Sequence, residues 1–97
     1  MFDKMKQLME MKKQADQIKR ELDKTRIESA DVRGIKIVMN GSMEVQSLEI
    51  EESLLTVVNK KNLERDLSRG INAAVRKAQM TAASKMKDMM PGFPGLS

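Results

Sequence analysis

Four polar side chains in the C-terminal third of the chain have the types and spacing needed to hold a row of phosphates. Arg65, Arg69, Asn72 and Arg76 are separated by four, three and four residues, which places them on one stripe of a helix. Each guanidinium presents a fork of N–H donors that matches a phosphate, and each bound phosphate releases condensed counterions. Three arginines along about 16 Å of helix therefore predict contact with a polyanion.

Three lysines continue the positive charge along the same segment, namely Lys77, Lys85 and Lys87. A plainer interpretation stays open, because charged residues cover the solvent side of any amphipathic helix. Arginine at positions where lysine would serve for solubility favours the phosphate-binding hypothesis.

A second candidate stripe lies near the N-terminus, where Lys6, Lys13 and Arg20 are spaced by seven residues. Helical geometry places them away from the apolar side of the same segment. Asp16 precedes Arg20 by four residues, and other acidic residues dilute the charge. An ordinary helix surface with salt bridges therefore remains the alternative for this stripe.

Catalytic chemistry is not indicated by the composition. The chain has no cysteine and no histidine, so its serines lack an imidazole base, and the usual transition-metal ligands are missing. Glu49 and Glu51 flank Ile50 on one strand face, where they are best interpreted as a solvated strand end. The sequence therefore predicts neither an enzyme nor a small-molecule substrate, and neither a cofactor nor a metal. Because long apolar runs are absent, it also predicts a cytoplasmic protein that does not enter membranes.

Charge is distributed unevenly along the 97 residues, whose net charge is +4. Residues 1–24 carry seven Lys/Arg against five Asp/Glu, residues 25–58 three against six, and residues 59–97 eight against three. Aromatic residues make up only 2% of the chain, so the platforms on which single-stranded bases stack are scarce. If nucleic acid is the partner, this composition favours a duplex.

The elements that must position these cations begin with a helix over residues 1–25. Its apolar residues recur every three or four positions, and the segment has no glycine or proline. Such a helix runs about 35 Å, which exceeds the span of a compact domain of this size. Part of it is therefore expected to project or to pair with another helix.

Strand patterns follow this helix. Residues 26–32 are an ambiguous strand, Ile35 to Met39 alternates with β-branched enrichment, and Asn40-Gly41 then predicts a type I′ turn with positive φ at both positions. The chain should fold back over residues 42–50 as a hairpin. Val45 and Leu48 have opposite parity in the returning strand, which indicates either a bulge or a second buried face.

A second long helix is predicted from Lys60 to about Met89, despite Gly70 inside it. A connector with a helical turn at residues 53–55 precedes it, and Asn59 is expected to cap it through its side-chain oxygen. Pro91 should end it. Residues 1–90 are thus expected to form one α+β domain with a three-stranded antiparallel sheet, and residues 91–97 a Pro/Gly-rich tail in which Phe93 and Leu96 can dock on a neighbour.

Three sequence motifs accompany this order of elements: the hairpin sequence N-G-S-M-E-V-Q-S-L-E-I, the helical sequence I-N-A-A-V-R-K-A-Q and the terminal P-G-F-P-G-L. Together with the order of the elements, they resemble the YbaB/EbfC family of bacterial nucleoid-associated DNA-binding proteins. The resemblance spans nearly the whole chain. Many relatives carry a run of glycines before the hairpin, whereas this chain has Asp31-Val32-Arg33-Gly34.

The resemblance implies a homodimer joined through the sheet, with the terminal helices protruding as arms that hold double-stranded DNA. It further implies loose sequence preference, a role in chromosome organisation or gene regulation, and a location at the nucleoid. Family binding is attributed to the charged terminal helices, and the matching candidates here are Lys6, Lys13, Arg20, Arg65, Arg69, Arg76, Lys77 and Lys85. The alternative is a protein-interaction module whose helices clamp a partner helix against methionine-rich surfaces.

Overall fold

A computed structural model describes residues 2–89 of the chain, with side chains from residue 3. They form α1 (Phe2–Lys24), β1 (Arg26–Ser29), β2 (Ile35–Asn40), β3 (Val45–Ile50), a 3-10 turn (Glu52–Leu54) and α2 (Lys60–Met89). The strands make an antiparallel sheet in the order β1-β2-β3. The α+β prediction is confirmed. The predicted helix end at Pro91 and the tail over residues 91–97 lie outside the described residues.

The core lies between α2 and one face of the sheet. Ile27 of β1 and Ile35, Ile37 and Met39 of β2 are buried there, each 3% exposed or less. The facing side of α2 carries the small buried residues Gly70, Ala74 and Ala78. A Cβ added at Gly70 would lie 3.3 Å from Ile37 Cδ1. The small residues therefore allow α2 to approach the sheet closely, which explains a glycine inside a long helix.

A β-bulge resolves the parity change in the returning strand. Val38 pairs with Ser47, but Met39 pairs with Val45, so Gln46 is the extra residue. The bulge puts Val45 on the same sheet face as Leu48, which pairs with buried Ile37. Of the two alternatives that the sequence left open, the bulge is the one that forms.

The predicted hairpin forms, but its turn type was predicted wrongly. Neither Asn40 nor Gly41 has positive φ; the left-handed residue is Met43, at φ 64°. The Met43 N–H donates to the Asn40 carbonyl at 3.1 Å, and the Asn40 N–H donates to the Glu44 carbonyl at 3.0 Å. This is a three-residue loop that ends in one left-handed position, so the returning strand starts at Val45 and not at residue 42.

Asn59 occupies the position before α2, and its carbonyl accepts the Leu63 N–H at 2.9 Å. The predicted side-chain cap is wrong, however. Within residues 2–89 its side-chain oxygen accepts no hydrogen bond, while its amide Nδ2 donates to the Leu54 carbonyl at 2.9 Å. Asn59 therefore holds the 3-10 turn against the start of the helix, and the first N–H of α2, that of Lys60, donates to the Val57 carbonyl at 3.3 Å.

Most of α1 projects from the sheet, as its length predicted. Every side chain from Asp3 to Gln17 is exposed, whereas Ile18 is 7% exposed and Leu22 is half-buried. The molecule measures 66 × 22 × 17 Å along its principal axes. Helix α1 thus behaves as an arm that is attached by its last two turns.

Candidate nucleic-acid interface

The α2 arginines lie on the side of the helix opposite the sheet. Because Ala74 is fully buried, a residue two positions away points about 200° around the helix. Arg76 takes that direction, and Arg65 and Arg69 share its stripe; all three are exposed. The burial of the small residues therefore fixes the outward direction of the arginines, as the sequence predicted.

Asp66 lies between two members of the stripe. Its Oδ1 is 3.8 Å from Arg65 Nε and 3.6 Å from Arg69 Nη1. The Asp66 side chain is 27% exposed, against 66% and 68% for the arginines. Such ion pairs at a surface contribute little to stability. Their effect on the interface is to hold two guanidiniums and to reduce the local positive charge.

Arg76 borders a shallow cavity of about 230 Å³ between α2 and the loop that joins β1 to β2. Arg69 and Asn72 line it from the helix, and Asp31 and Val32 line it from the loop between β1 and β2. The cavity brings two arginines and an amide donor together, which is a donor set suited to one phosphate. Asp31 opposes anion binding at its edge.

Two of the candidate lysines bond to neighbouring elements. Lys77 Nζ donates to the Glu28 carbonyl of β1 at 2.6 Å, and Lys85 Nζ is 3.9 Å from Glu21 Oε2 of α1. These contacts join α2 to β1 and to α1. Both lysines therefore help to position the helices, while their ammonium groups still add to the field around α2.

The α1 candidates lie on the projecting arm. Lys6, Lys13 and Arg20 are exposed, and among the described residues no carboxylate lies within ion-pair distance of them. Arg20 is two positions from buried Ile18, so this stripe points away from the side where α1 meets the rest of the fold. The structure thus places the candidates in two groups on two helices and not in one cluster.

The hairpin loop holds the base of the α1 arm. The Gly41 N–H donates to the Leu22 carbonyl at 2.8 Å and to the Thr25 carbonyl at 3.1 Å. A Cβ added at Gly41 would lie 2.9 Å from the Leu22 oxygen. Close approach to the end of α1, and not a positive φ, is therefore what Gly41 provides.

Asn40 and Ser42 complete this attachment, which sequence reasoning missed. Asn40 is 4% exposed; its Oδ1 accepts the N–H groups of Ser42 and Glu44, each at 3.0 Å, and its Nδ2 donates to Glu44 Oε1 at 2.9 Å. The Ser42 hydroxyl donates to the Asp23 carboxylate. The hydrogen bond from Ser42 is the main cause that holds the pKa of Asp23 below its ordinary value, and the hydrogen bond from Lys19 is the next largest cause. The Asn-Gly dipeptide was the available signal, but it was interpreted only as a turn.

A second carboxylate with a lowered pKa lies on the outer face of the sheet. Lys36 Nζ is 3.0 Å from Glu28 Oε1, and Arg26 Nη2 is 3.6 Å from Glu28 Oε2. The hydrogen bond from Lys36, then its charge, lowers the pKa of Glu28. These two cations are thus engaged with Glu28, which leaves the exposed cations of the helices as the principal positive surface.

Within residues 2–89, no group of three potential metal ligands comes together. Over the same part of the chain, neither helix combines the length and the apolar character needed to cross a membrane.

Comparison with known proteins agrees with the resemblance in the sequence. The profile of the YbaB/EbfC DNA-binding family matches residues 1–93. The chain is 37% identical over 94 residues to a "Nucleoid-associated protein" of Hahella chejuensis, covering 96% of this chain and 86% of the relative. It is 33% identical over 93 residues to proteins of the same name from Chloroflexus aurantiacus and Chloroflexus aggregans, covering 95% of this chain and 93% of each relative.

Proposed function

The chain belongs to the YbaB/EbfC DNA-binding family, and we propose that it binds duplex DNA as a homodimer, through phosphates and with little dependence on base sequence. The family and the names of its relatives support a nucleoid DNA-binding function. Chromosome organisation or gene regulation is the role that fits such binding. The proposal needs no catalysed reaction and no cofactor, because positive side chains alone can hold a polyanion.

The exposed arginine stripe of α2 is the observation that carries this proposal. Helix α2 has eight Lys/Arg and three Asp/Glu, and Arg65, Arg69 and Arg76 point away from the sheet. The stripe is about 16 Å long, which spans successive phosphates along a groove. The α1 cations Lys6 and Lys13 add a second positive surface on the projecting arm. Contacts of this kind position a protein on DNA without reading bases.

A titration by fluorescence anisotropy at several salt concentrations tests the proposal. The ligands are two unrelated duplexes of equal length and one single strand. The stripe variant is Arg65→Ala/Arg69→Ala/Arg76→Ala. The charge-matched control, Arg26→Ala/Arg33→Ala/Lys36→Ala, instead removes three cations from β1, β2 and the loop between them.

We expect the wild type to bind both duplexes equally, and more tightly than the single strand. The slope of log affinity against log salt is negative, and each lost phosphate contact reduces its magnitude by about 0.9. The slope of the stripe variant should therefore be smaller in magnitude by about 2.7 per engaged protomer. Between 50 and 200 mM salt, the ratio of the wild-type affinity to the affinity of the stripe variant should therefore change by about fortyfold. The control should keep the wild-type slope.

Three results would contradict the proposal. Equal slopes for the wild type and the stripe variant would show that the interface lies elsewhere. A control variant that weakens binding as much as the stripe variant would show that only the net charge matters. Binding to a partner helix with little salt dependence, and no binding to DNA in dilute buffer, would favour the interaction-module alternative.

The homodimer in this proposal is supported by the incomplete cover of the sheet. Helix α2 packs mainly on β1 and β2, and β3 is an edge strand. Val45 and Leu48 therefore remain 54% and 46% exposed although they lie on the same face as the core. A second copy that packs along β3 would cover these side chains and pair the free strand edge.

Sedimentation equilibrium over a range of protein concentrations tests the dimer. Leu48→Lys should shift the protein toward monomer, because it puts an ammonium into the proposed contact. The matched control is Met80→Lys, since Met80 is 74% exposed on the outer side of α2. A Leu48→Lys variant that stays as dimeric as the control would refute the β3 interface.

A further inference from the structure

The cavity between α2 and the loop that joins β1 to β2 brings together groups of opposite charge that do not bond to each other. Arg69, Asn72 and Arg76 line it from the helix, and Asp31 lines it from the loop. Among the described side chains, Arg69 pairs with Asp66, and neither Arg76 nor Asp31 takes part in an ion pair. The cavity therefore separates donors from an acceptor and leaves room for a group that bonds to both.

The three helical side chains form a donor set for one tetrahedral oxyanion. Each guanidinium offers several N–H groups, and the Asn72 amide adds two more. Asn72 lies three residues after Arg69 and four before Arg76, so the donors lie on one side of α2. All three side chains are exposed, so a ligand can reach them from solvent. Because a water takes about 30 Å³, the cavity of about 230 Å³ has room for a phosphate and several waters.

Asp31 determines which oxyanion fits this donor set. An ionised carboxylate only accepts hydrogen bonds, so it repels an anion that has no proton to donate. Phosphodiesters and sulfate have no such proton. Orthophosphate carries at least one proton at neutral pH, and a phosphomonoester, whose second pKa is about 6, carries one in part. The P–O–H group of such a phosphate can donate to Asp31 while its other oxygens accept from the helix.

We propose that this cavity binds a phosphate with a titratable oxygen, and that Asp31 selects it by accepting a hydrogen bond from its P–O–H group. The ligand is either free orthophosphate or a phosphomonoester such as the 5′-phosphate end of a DNA strand. Internal phosphates of DNA are diesters, so they interact with the outward stripe through charge and gain nothing from Asp31. The site thus uses Arg69 and Arg76 for a second class of phosphate, whether or not the stripe binds duplex DNA.

Titration of the full chain with sodium phosphate and with sodium sulfate, at about pH 6 and constant ionic strength, tests this selection. Binding is followed by NMR on isotope-labelled protein, through the side-chain amide of Asn72 and the Nε–H of Arg76. Sulfate has the greater charge at this pH, so charge alone would make it bind more tightly. Since a hydrogen bond to a charged group is worth about tenfold or more, we expect phosphate to bind about fivefold more tightly than sulfate.

Two variants identify the group that makes the selection. Asp31→Ala removes the acceptor and should make sulfate bind at least as tightly as phosphate. Asp16→Ala removes an equal charge from the α1 arm and should keep the preference for phosphate. Both replaced residues are exposed, and the amide spectrum of each variant verifies that it is folded. Equal binding of the two anions by the wild type would overturn the proposal. So would a preference that survives Asp31→Ala, or phosphate that leaves both reporter signals unshifted.

A comparison of two duplexes of one sequence, with 5′-phosphate or 5′-hydroxyl ends, identifies the source of the phosphate. Tighter binding of the 5′-phosphate duplex that is lost in Asp31→Ala would assign the site to DNA ends. Equal binding of the two duplexes, together with the preference for phosphate over sulfate, would assign it to free phosphate. The anion titration contains no DNA, so failure of this selection and failure of the duplex-binding proposal are distinguishable.

Discussion

Replacement of Gly41 by alanine should weaken the attachment of the α1 arm, because the added methyl group meets the backbone of α1. The new Cβ would lie 2.9 Å from the Leu22 oxygen, 3.0 Å from Leu22 Cδ2 and 3.1 Å from Leu22 Cα. Two of these atoms are backbone atoms, which a rotamer change does not move. The hairpin must therefore shift away from α1, and the shift lengthens the bonds from the Gly41 N–H to the Leu22 and Thr25 carbonyls.

The cost follows from this geometry. Overpacking at a closely packed site costs about 1–3 kcal/mol, so we expect the free energy of unfolding of Gly41→Ala to fall by about 2 kcal/mol. For a domain of this size the fall corresponds to a Tm lower by about 8–16 °C. The φ of Gly41 is not positive, so backbone strain does not add to this figure.

Urea unfolding followed by circular dichroism gives the measurement, at one fixed protein concentration because the stability of the proposed dimer depends on concentration. Ser68→Ala, at an exposed position of α2, serves as the control and should stay within about 0.5 kcal/mol of the wild type. At a temperature where the Gly41→Ala variant is folded, its DNA affinity should also fall, since the arm is held less firmly. A variant within about 0.5 kcal/mol of the wild type would refute the close-approach argument.

Three further predictions follow from the loop and the stripe. Met43→Gly should be more stable than Met43→Ala by about 1 kcal/mol in the same urea assay, since alanine keeps the left-handed strain that glycine lacks; the reverse order would contradict the observed turn. Asp66→Asn should raise the affinity for duplex DNA at low salt, because it frees Arg65 and Arg69 from their ion pairs. The increase should exceed that of the control Glu52→Gln, which removes an equal charge from the 3-10 turn. The pKa of Asp23 is lower in the folded state than in the unfolded state. The Asp23 carboxylate therefore stabilises the fold at pH values above the unfolded-state pKa, and this stability is lost as the pH falls through the folded-state pKa. Stability should therefore decline in acid below about pH 4.5, and Ser42→Ala should make this decline shallower; equal slopes would contradict the role of the hydroxyl.

The hairpin shows how far local sequence determines structure here. Alternation from Ile35 to Met39 followed by Asn-Gly was sufficient to predict two paired strands. The turn type was not predictable from the dipeptide, because the end of α1 accepts the Gly41 N–H and a side chain at that position would clash with it. The dipeptide is used for a tertiary contact, and the left-handed conformation moves to Met43. A tertiary contact of this kind leaves no periodic pattern in the sequence.

The interface shows a similar limit. Helical spacing was sufficient to place Arg65, Arg69 and Arg76 on one exposed stripe. Spacing alone gave no sign that Lys77 donates to the Glu28 carbonyl, because that contact joins residues 49 positions apart. Cations on one helix therefore divide into those that face solvent and those that bond to the fold, and only the packing of the helix distinguishes them.

The same rotation of α2 determines both packing and binding. Ala74 and Ala78 must face the sheet, because larger residues there would push the helix away from β2. Once they do, helical geometry gives Arg76 an outward direction and gives Lys77 a direction toward β1, where its hydrogen bond forms. A rotation of about 100° that put Arg69 in the place of Gly70 would bury a guanidinium and expose part of the core, and burial of an unpaired charge is costly. The direction of the arginine stripe is thus fixed by the small apolar residues, and a dimer would present two such stripes, each fixed by its own core.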